Sequence, residues 1–264
     1  MSFTELKSKQ SVVWGAGPYQ RITDNLTDAH DHLLVSTPPV RGEDWLDIAT
    51  GTGAIAIRAA AGGADVVAQD LAPELISRAV LNAEDAGVLV DYRTGDCEDL
   101  PFDDASFDTV SSSFGHMFSP DHQAAADEIA RVCRPGGNIA LLTWHPTEGV
   151  AELFKILSGY QPPRAEGVGN PFEWGDENHV RELLGDAFDL EFQHGYSTHK
   201  AINAEALWRE FREDYGPTKV LADSLDEAAR AELAEECIRY FAEFPEDEHI
   251  AWSRPYVLTL GTRR

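Results

Sequence analysis

A carboxylate opens a glycine-rich turn at Asp47-Ile48-Ala49-Thr50-Gly51-Thr52-Gly53, between an apolar run and a helical pattern. Glycines there let the backbone turn tightly and lie close against a ligand. Taken alone, Gly51-x-Gly53-x-x-Ala56 also fits a dinucleotide fingerprint, with Asp70 at a plausible distance for a ribose. The sign of Asp47 separates the two chemistries. It would repel a pyrophosphate, whereas an ammonium or a sulfonium would be drawn to it. That favours S-adenosylmethionine (SAM) over NAD, and leaves an NAD(P)-dependent reductase as the alternative enzyme. A purely structural Asp47 would only cap the turn.

Downstream residues repeat the pattern. Asp70 ends a second apolar run, where one carboxylate can take both ribose hydroxyls. Asp96, in Gly95-Asp96-Cys97-Glu98-Asp99-Leu100-Pro101-Phe102, can accept an adenine amino group. Ser113 follows a fourth run. Ligands of open parallel sheets bind beyond the carboxyl ends of the strands, where strand order reverses. Residues 43–145 resemble class I SAM-dependent methyltransferases, in particular a small-molecule branch similar to ubiquinone and menaquinone biosynthesis enzymes. Asp47-x-Ala49-x-Gly51-x-Gly53 is similar to their Asp/Glu-x-Gly-x-Gly-x-Gly. Asp70, Asp96-Cys97 and Arg134-Pro135-Gly136-Gly137 match later motifs, and Ala49 stands where the family usually has glycine. The resemblance implies a Rossmann-like, doubly wound α/β fold with a seven-stranded sheet whose last strand is antiparallel. It implies SAM as cofactor and methyl transfer to a small-molecule acceptor by in-line displacement. It also implies a cofactor site lined by Asp47, Ala49, Gly51, Gly53, Asp70, Leu71, Asp96, Cys97 and Ser113, with Tyr19 from a covering segment. A catalytically silent SAM-binding protein is the reading from a different class.

The elements that must position these residues alternate, as βαβ units do. Strands are predicted at 45–49, 66–69, 88–92, 107–112 and 139–143. Between them lie helices over 53–61, from Pro73 to Gly87, and from Ser119-Pro120 to before Pro135. Residues 161–175 read as a loop, 176–184 as a helix and 188–193 as a sixth strand. Asn203 caps a helix that Gly216-Pro217 ends, Ser224 and Glu227 form a capping box for the next, and 256–260 is the last strand. The whole reads as one domain over 1–264, with an N-terminal lid segment at 10–35 and a helical cap insertion at 200–250.

The lid carries Trp14 and Tyr19 around Gly15 and Gly17, then His30 and His32, read as structural. His116, after the fourth strand, is the candidate general base, with Trp144 and His145 as a second pair at the mouth. Trp208, Phe211, Tyr215, Tyr240, Phe241 and Phe244 in the insertion suit a cap over an apolar or aromatic acceptor, or else a homodimer interface or plain core. No acidic pair follows the fourth strand and the cysteines lack ligand spacing, so no metal is expected.

Composition sets the outer limits. Among 264 residues, 43% hydrophobic content is ample for a core. Twenty-one basic against 46 acidic residues give a net charge of −25, which disfavours nucleic acid. Only five of the basic residues are lysine, a pattern that also fits a salty cytoplasm. No run approaches a membrane span, Met1 to Lys7 lack a secretory core, and three scattered cysteines suit a reduced cytoplasmic protein.

Overall fold

Three helices precede the sheet: α1 (Phe3–Trp14), α2 (Gln20–Asp24) and α3 (Thr27–Ser36). Then come β1 (Asp44–Ile48), α4 (Ala54–Gly62), β2 (Asp65–Asp70), α5 (Pro73–Ala86), β3 (Asp91–Thr94), β4 (Phe107–Ser113), α6 (His122–Val132) and β5 (Cys133–Trp144). The second half holds α7 (Val150–Ser158), α8 (Glu177–Leu184), β6 (Phe188–Ala201), α9 (Ala204–Asp214), α10 (Gly216–Ser224), α11 (Glu227–Phe241), β7 (Pro245–Glu246) and β8 (His249–Arg263). The computed structural model describes residues 3–264; Met1 and Ser2, part of the terminus read for a leader, lie outside the described residues.

The strands form one mixed sheet in the order β3-β2-β1-β4-β5-β8-β6, with the two-residue β7 on β8. β1 runs parallel to β2 and β4, and β8 runs antiparallel to both β5 and β6. This is the expected doubly wound sheet, with β7 as a short addition. Chain order reverses between β1 and β4, so their carboxyl ends open the crevice that ligands use. β1 is buried on both faces, Asp47 included, because helices cover both sides of a parallel sheet. Gly63 and Gly87, both at positive φ, close α4 and α5.

Several boundaries differ from expectation, each for a local reason. β3 begins at Asp91, since Val88 is still tied to Ala83 O at the end of α5 and Leu89 is exposed. β6 continues past Gln193 because Gly195 leaves room for the Tyr256 ring, which sits where a Cβ would point. Residues 150–158, given no element from the sequence, form α7, with Val150, Leu153 and Leu157 buried on one face. Pro217 does not only end α9; it occupies the first turn of α10, where its missing N–H costs nothing. Asp226, not Ser224, caps α11 by accepting from Ala229 N at 2.9 Å, while the Ser224 hydroxyl donates back to Leu221 O. Asn203 caps α9 as expected, accepting from Ala206 N.

The helices of 204–241 share the sheet's core. Leu207, Phe211, Leu233 and Phe241 join Trp252 and the β5 side chains in one apolar cluster that also contains Leu33, Trp45 and Ile48.

Candidate functional site

The turn after β1 places its ligand-facing atoms through unusual backbone. Gly51 has φ +58°, and a Cβ there would meet nothing within 4 Å, so the turn faces open space. Ala49 (φ 50°) and Phe114 (φ 60°) hold the left-handed conformation without being glycine. The extra methyl of Ala49 is accommodated because Gly115 stands opposite; a Cβ on Gly115 would come within 2.5 Å of it.

This turn is the floor of a cleft of about 980 Å³, mouth included. Of the residues expected to bind a cofactor, Asp47, Ala49, Gly51, Asp70, Leu71, Asp96, Cys97, Ser113 and Tyr19 all line it. Gly53 does not. At φ 86° it starts α4, and a Cβ there would strike the Tyr92 hydroxyl, so its part is to let β3 and α5 pack close.

Asp47 is buried at the end of β1, where the Ser111 hydroxyl donates to one oxygen at 2.6 Å and the Thr50 hydroxyl to the other at 2.6 Å. Burial pushes its pKa up to about 6, against the pull of those two bonds. Asp70, also buried, accepts from Gly51 N at 2.8 Å and Ala72 N at 2.9 Å, and burial raises its pKa as well. Each of its oxygens keeps a second lone pair for a ligand hydroxyl. Burial raises the Cys97 thiol, so it stays neutral and acts as an apolar wall.

The opposite wall comes from the N-terminal helices. Lys7 of α1 pairs with Asp96 at 2.6 Å and with Glu98. Gln10 donates to Phe118 O at 3.0 Å, and Ser11 to Leu71 O at 2.9 Å. Trp14 packs edge-on against Tyr19, Phe118 and Tyr215. The lid therefore begins at α1, earlier than residue 10. His30 of α3 lines the same cleft, with Nε2 3.0 Å from Ser113 Oγ, and burial lowers its pKa to about 4. It was set aside as structural in the sequence. The available signal was helical spacing, because Tyr19, Thr23, Leu26 and His30 share one cleft-facing stripe. His32 is structural, held between Tyr256 and Gln193.

His116 is a correction. It is fully buried in the 3-10 turn after β4, packs edge-on to Trp174 at 4.7 Å, and leaves both ring nitrogens without partners. It does not line the cleft and its ring is sealed in the core, so it is not placed to act as the base. Trp144 stacks on Phe114 at 3.8 Å, and neither it nor His145 lines the cleft. Nor does any residue of 200–250. The insertion meets the N-terminal segment away from the cleft, through Tyr215 on Trp14 and Tyr19, the Asp214–Arg21 pair and Gly216 against Val13, so its aromatics are core and do not line the cleft.

Two buried polar atoms on cleft-lining residues, Gln69 Oε1 and Ser119 Oγ, have no protein partner. Together with three carboxylates at the ends of neighbouring strands, they fit a ligand carrying an amine, a ribose diol and a cationic centre. A SAM molecule has these groups. A dinucleotide would bring its pyrophosphate against Asp47.

The comparisons with known proteins agree with this geometry. Residues 46–141 match the model of a methyltransferase domain. An uncharacterised protein of Mycobacterium tuberculosis is 37% identical over 240 residues, covering 88% of each chain. The demethylmenaquinone methyltransferase of Thermus thermophilus is 40% identical over 103 residues, covering 38% of this chain and 47% of its own. Among solved structures, phosphoethanolamine N-methyltransferase 2 of Haemonchus contortus, in complex with phosphomonomethylethanolamine and S-adenosylhomocysteine, superposes with a TM-score of 0.56 at 19% identity, covering 89% of this chain and 52% of that one.

Proposed function

The chain belongs to the class I SAM-dependent methyltransferases, and from that premise we propose that it methylates a small molecule whose reacting part is apolar or aromatic. The observation that carries the reading is the mixed lining of one cleft, which presents Asp47, Asp70 and Asp96 together with Trp14, Leu26, His30, Phe114 and Phe118. The carboxylates suit the cofactor, and the apolar and aromatic side chains suit an acceptor that must be desolvated. The net charge of −25 favours a small acceptor over a nucleic acid.

Bound SAM supplies an electrophilic methyl group on a sulfonium. Asp70 would hold the ribose diol through its free lone pairs. Asp96 would take the adenine amino group once Lys7 yields it, and Asp47 would place negative charge on the cationic end. His30 is neutral at pH 7 and sits beside Ser113. It would orient the acceptor's hydroxyl or amine and take up its proton as the methyl bond forms. Alignment supplies most of the rate in such a displacement, and the closed lid supplies alignment and excludes water. The free thiols Cys97, Cys133 and Cys237 suit a cytoplasmic setting.

The test is formation of S-adenosylhomocysteine from SAM over a panel of phenols, quinols, amines and short acids. An active acceptor should lose about 10- to 100-fold in kcat with His30→Ala, while the SAM dissociation constant stays within about twofold. Tight SAM binding with no turnover on any acceptor class would favour the silent SAM-binding alternative.

A further inference from the structure

Behind the 3-10 turn that holds His116, three side chains from separate elements converge. His122 is the first residue of α6, Glu173 lies in the short 3-10 helix Pro171–Gly175, and His179 lies in α8. One ligand-type atom of each lies within 4.8 Å of the other two. His122 Nδ1 and His179 Nε2 face each other at 3.0 Å. Two neutral imidazoles in that pose share one proton, which leaves His122 Nε2 a buried polar atom without a partner. Trp174 packs on both His116 and His122, and its indole N–H is likewise buried and unpartnered. With the shared proton lost, His122 Nδ1 and His179 Nε2 each present a lone pair beside the Glu173 carboxylate, a donor set that a cation can bridge.

We propose that His122, Glu173 and His179 form a binding site for one divalent transition-metal ion, with zinc the best fit. Two imidazole nitrogens and a carboxylate oxygen are a recurrent zinc donor set, and ligands about 2.0–2.1 Å from a tetrahedral ion sit about 3.3 Å apart. The 3.0 Å approach of the two histidines is close to that spacing. Glu173 is exposed, so its carboxylate can close the remaining gap with little cost to the core.

The place of the site gives the ion a structural part. It would clamp the 3-10 helix and α8 onto α6. Gly169 N donates to Pro120 O at 2.9 Å in the same region, and Ser119 and Pro120 line the cofactor cleft. The ion would therefore stiffen the wall of the cleft without entering it. Sequence spacing hides the site, because His122 and His179 stand 57 residues apart.

The experiment uses the full chain without a histidine tag, stripped with chelator, and titrates it with zinc sulfate by calorimetry and with cobalt(II) by visible absorption. The expected result is one ion per chain with a dissociation constant of about 1 µM or below, tetrahedral cobalt bands, and a higher melting temperature in zinc. His179→Ala and Glu173→Gln change half-buried and exposed side chains, so both should fold. Affinity should fall by roughly 100-fold in the first and tenfold in the second, and the zinc-dependent rise in melting temperature should disappear in His179→Ala. No binding at about 100 µM zinc, or binding that His179→Ala leaves unchanged, overturns the proposal. The readout needs neither SAM nor an acceptor, so it stands apart from the methyl-transfer assay.

Discussion

Replacing Asp47 with asparagine should make the empty protein more stable at pH 8 and a poorer SAM binder. Burial lifts the Asp47 pKa from 3.8 to about 6. That gap corresponds to about 3 kcal/mol at about 1.4 kcal/mol per pH unit. For an acid whose folded value lies above its unfolded one, the stability is fully present below 3.8 and is lost as pH rises through about 6. Above that window the wild type carries a buried charge that asparagine lacks. The variant has its own cost. Ser111 and Thr50 both donate to the carboxylate, and one must turn away from the new NH2 group, at about 1 kcal/mol. The net expectation is a gain of about 2 kcal/mol at pH 8 that vanishes near pH 4. SAM binding should move the other way. Loss of the charge facing a sulfonium and an ammonium should cost about 1.5–3 kcal/mol, roughly 10- to 100-fold in affinity at pH 8. Wild-type affinity should be flat above about pH 6 and fall toward tenfold per pH unit below it, while the variant loses that slope except for what Asp70 contributes. Denaturant melts and SAM calorimetry at half-unit steps from pH 5 to 8 read both effects. A variant less stable than wild type at pH 8, or a wild-type affinity that ignores pH, would refute the reasoning.

Asp70→Ala should weaken SAM by about 1.5–3 kcal/mol in calorimetry, and an unchanged constant would remove Asp70 from the site. His116→Leu should leave turnover within about twofold and stability unchanged or raised, because both ring nitrogens are buried and unpaired; a tenfold loss of kcat with normal SAM binding would restore His116 as a catalytic group. Trp208→Ala should cost about 3–5 kcal/mol in a melt, as a core truncation does, yet leave the folded protein's SAM constant and acceptor preference unaltered. A changed acceptor preference in that variant would put the insertion back over the acceptor.

The first half of the fold was legible because parallel strands and their crossover helices write themselves in local pattern. β1, β2 and β4 carry short buried runs, and α4 and α5 between them end on glycine, whereas the polar β3 is marked only by its place after α5. Local pattern failed where a residue has two meanings. Gly216-Pro217 reads as a stop, yet proline is equally at home in a first helical turn, and α10 begins there. Gly195 reads as a strand end, but across β8 the ring of Tyr256 fills the space its missing side chain leaves. Only the pairing partner, remote in sequence, decides between the meanings.

The site divides along the same line. Asp47, Asp70, Asp96 and Ser113 lie in one continuous stretch of chain, each at or just past the carboxyl end of a strand, so the strand-helix alternation alone brings them to one cleft. The rest of the cleft lining is assembled across the chain, and there chemical type misled. His116 has the chemistry of a base and the right place in the sequence, but its ring turns into the core against Trp174. His30, on a lid helix 83 residues before Ser113, is the histidine that reaches the cleft. What separates them is direction. The chain turns sharply at Phe114 in a left-handed conformation, which sends Gly115 toward Ala49 and His116 inward. The left-handed φ at Phe114 thus turns His116 away from the cleft that His30 reaches, and nothing in the spacing of residues 113–118 reveals it. Tyr19, Thr23, Leu26 and His30 fall at helical spacing although α2 and α3 are separate helices, and together they line the cleft. Side chains on this stripe, and not the aromatics of 200–250, should therefore govern which acceptor is methylated.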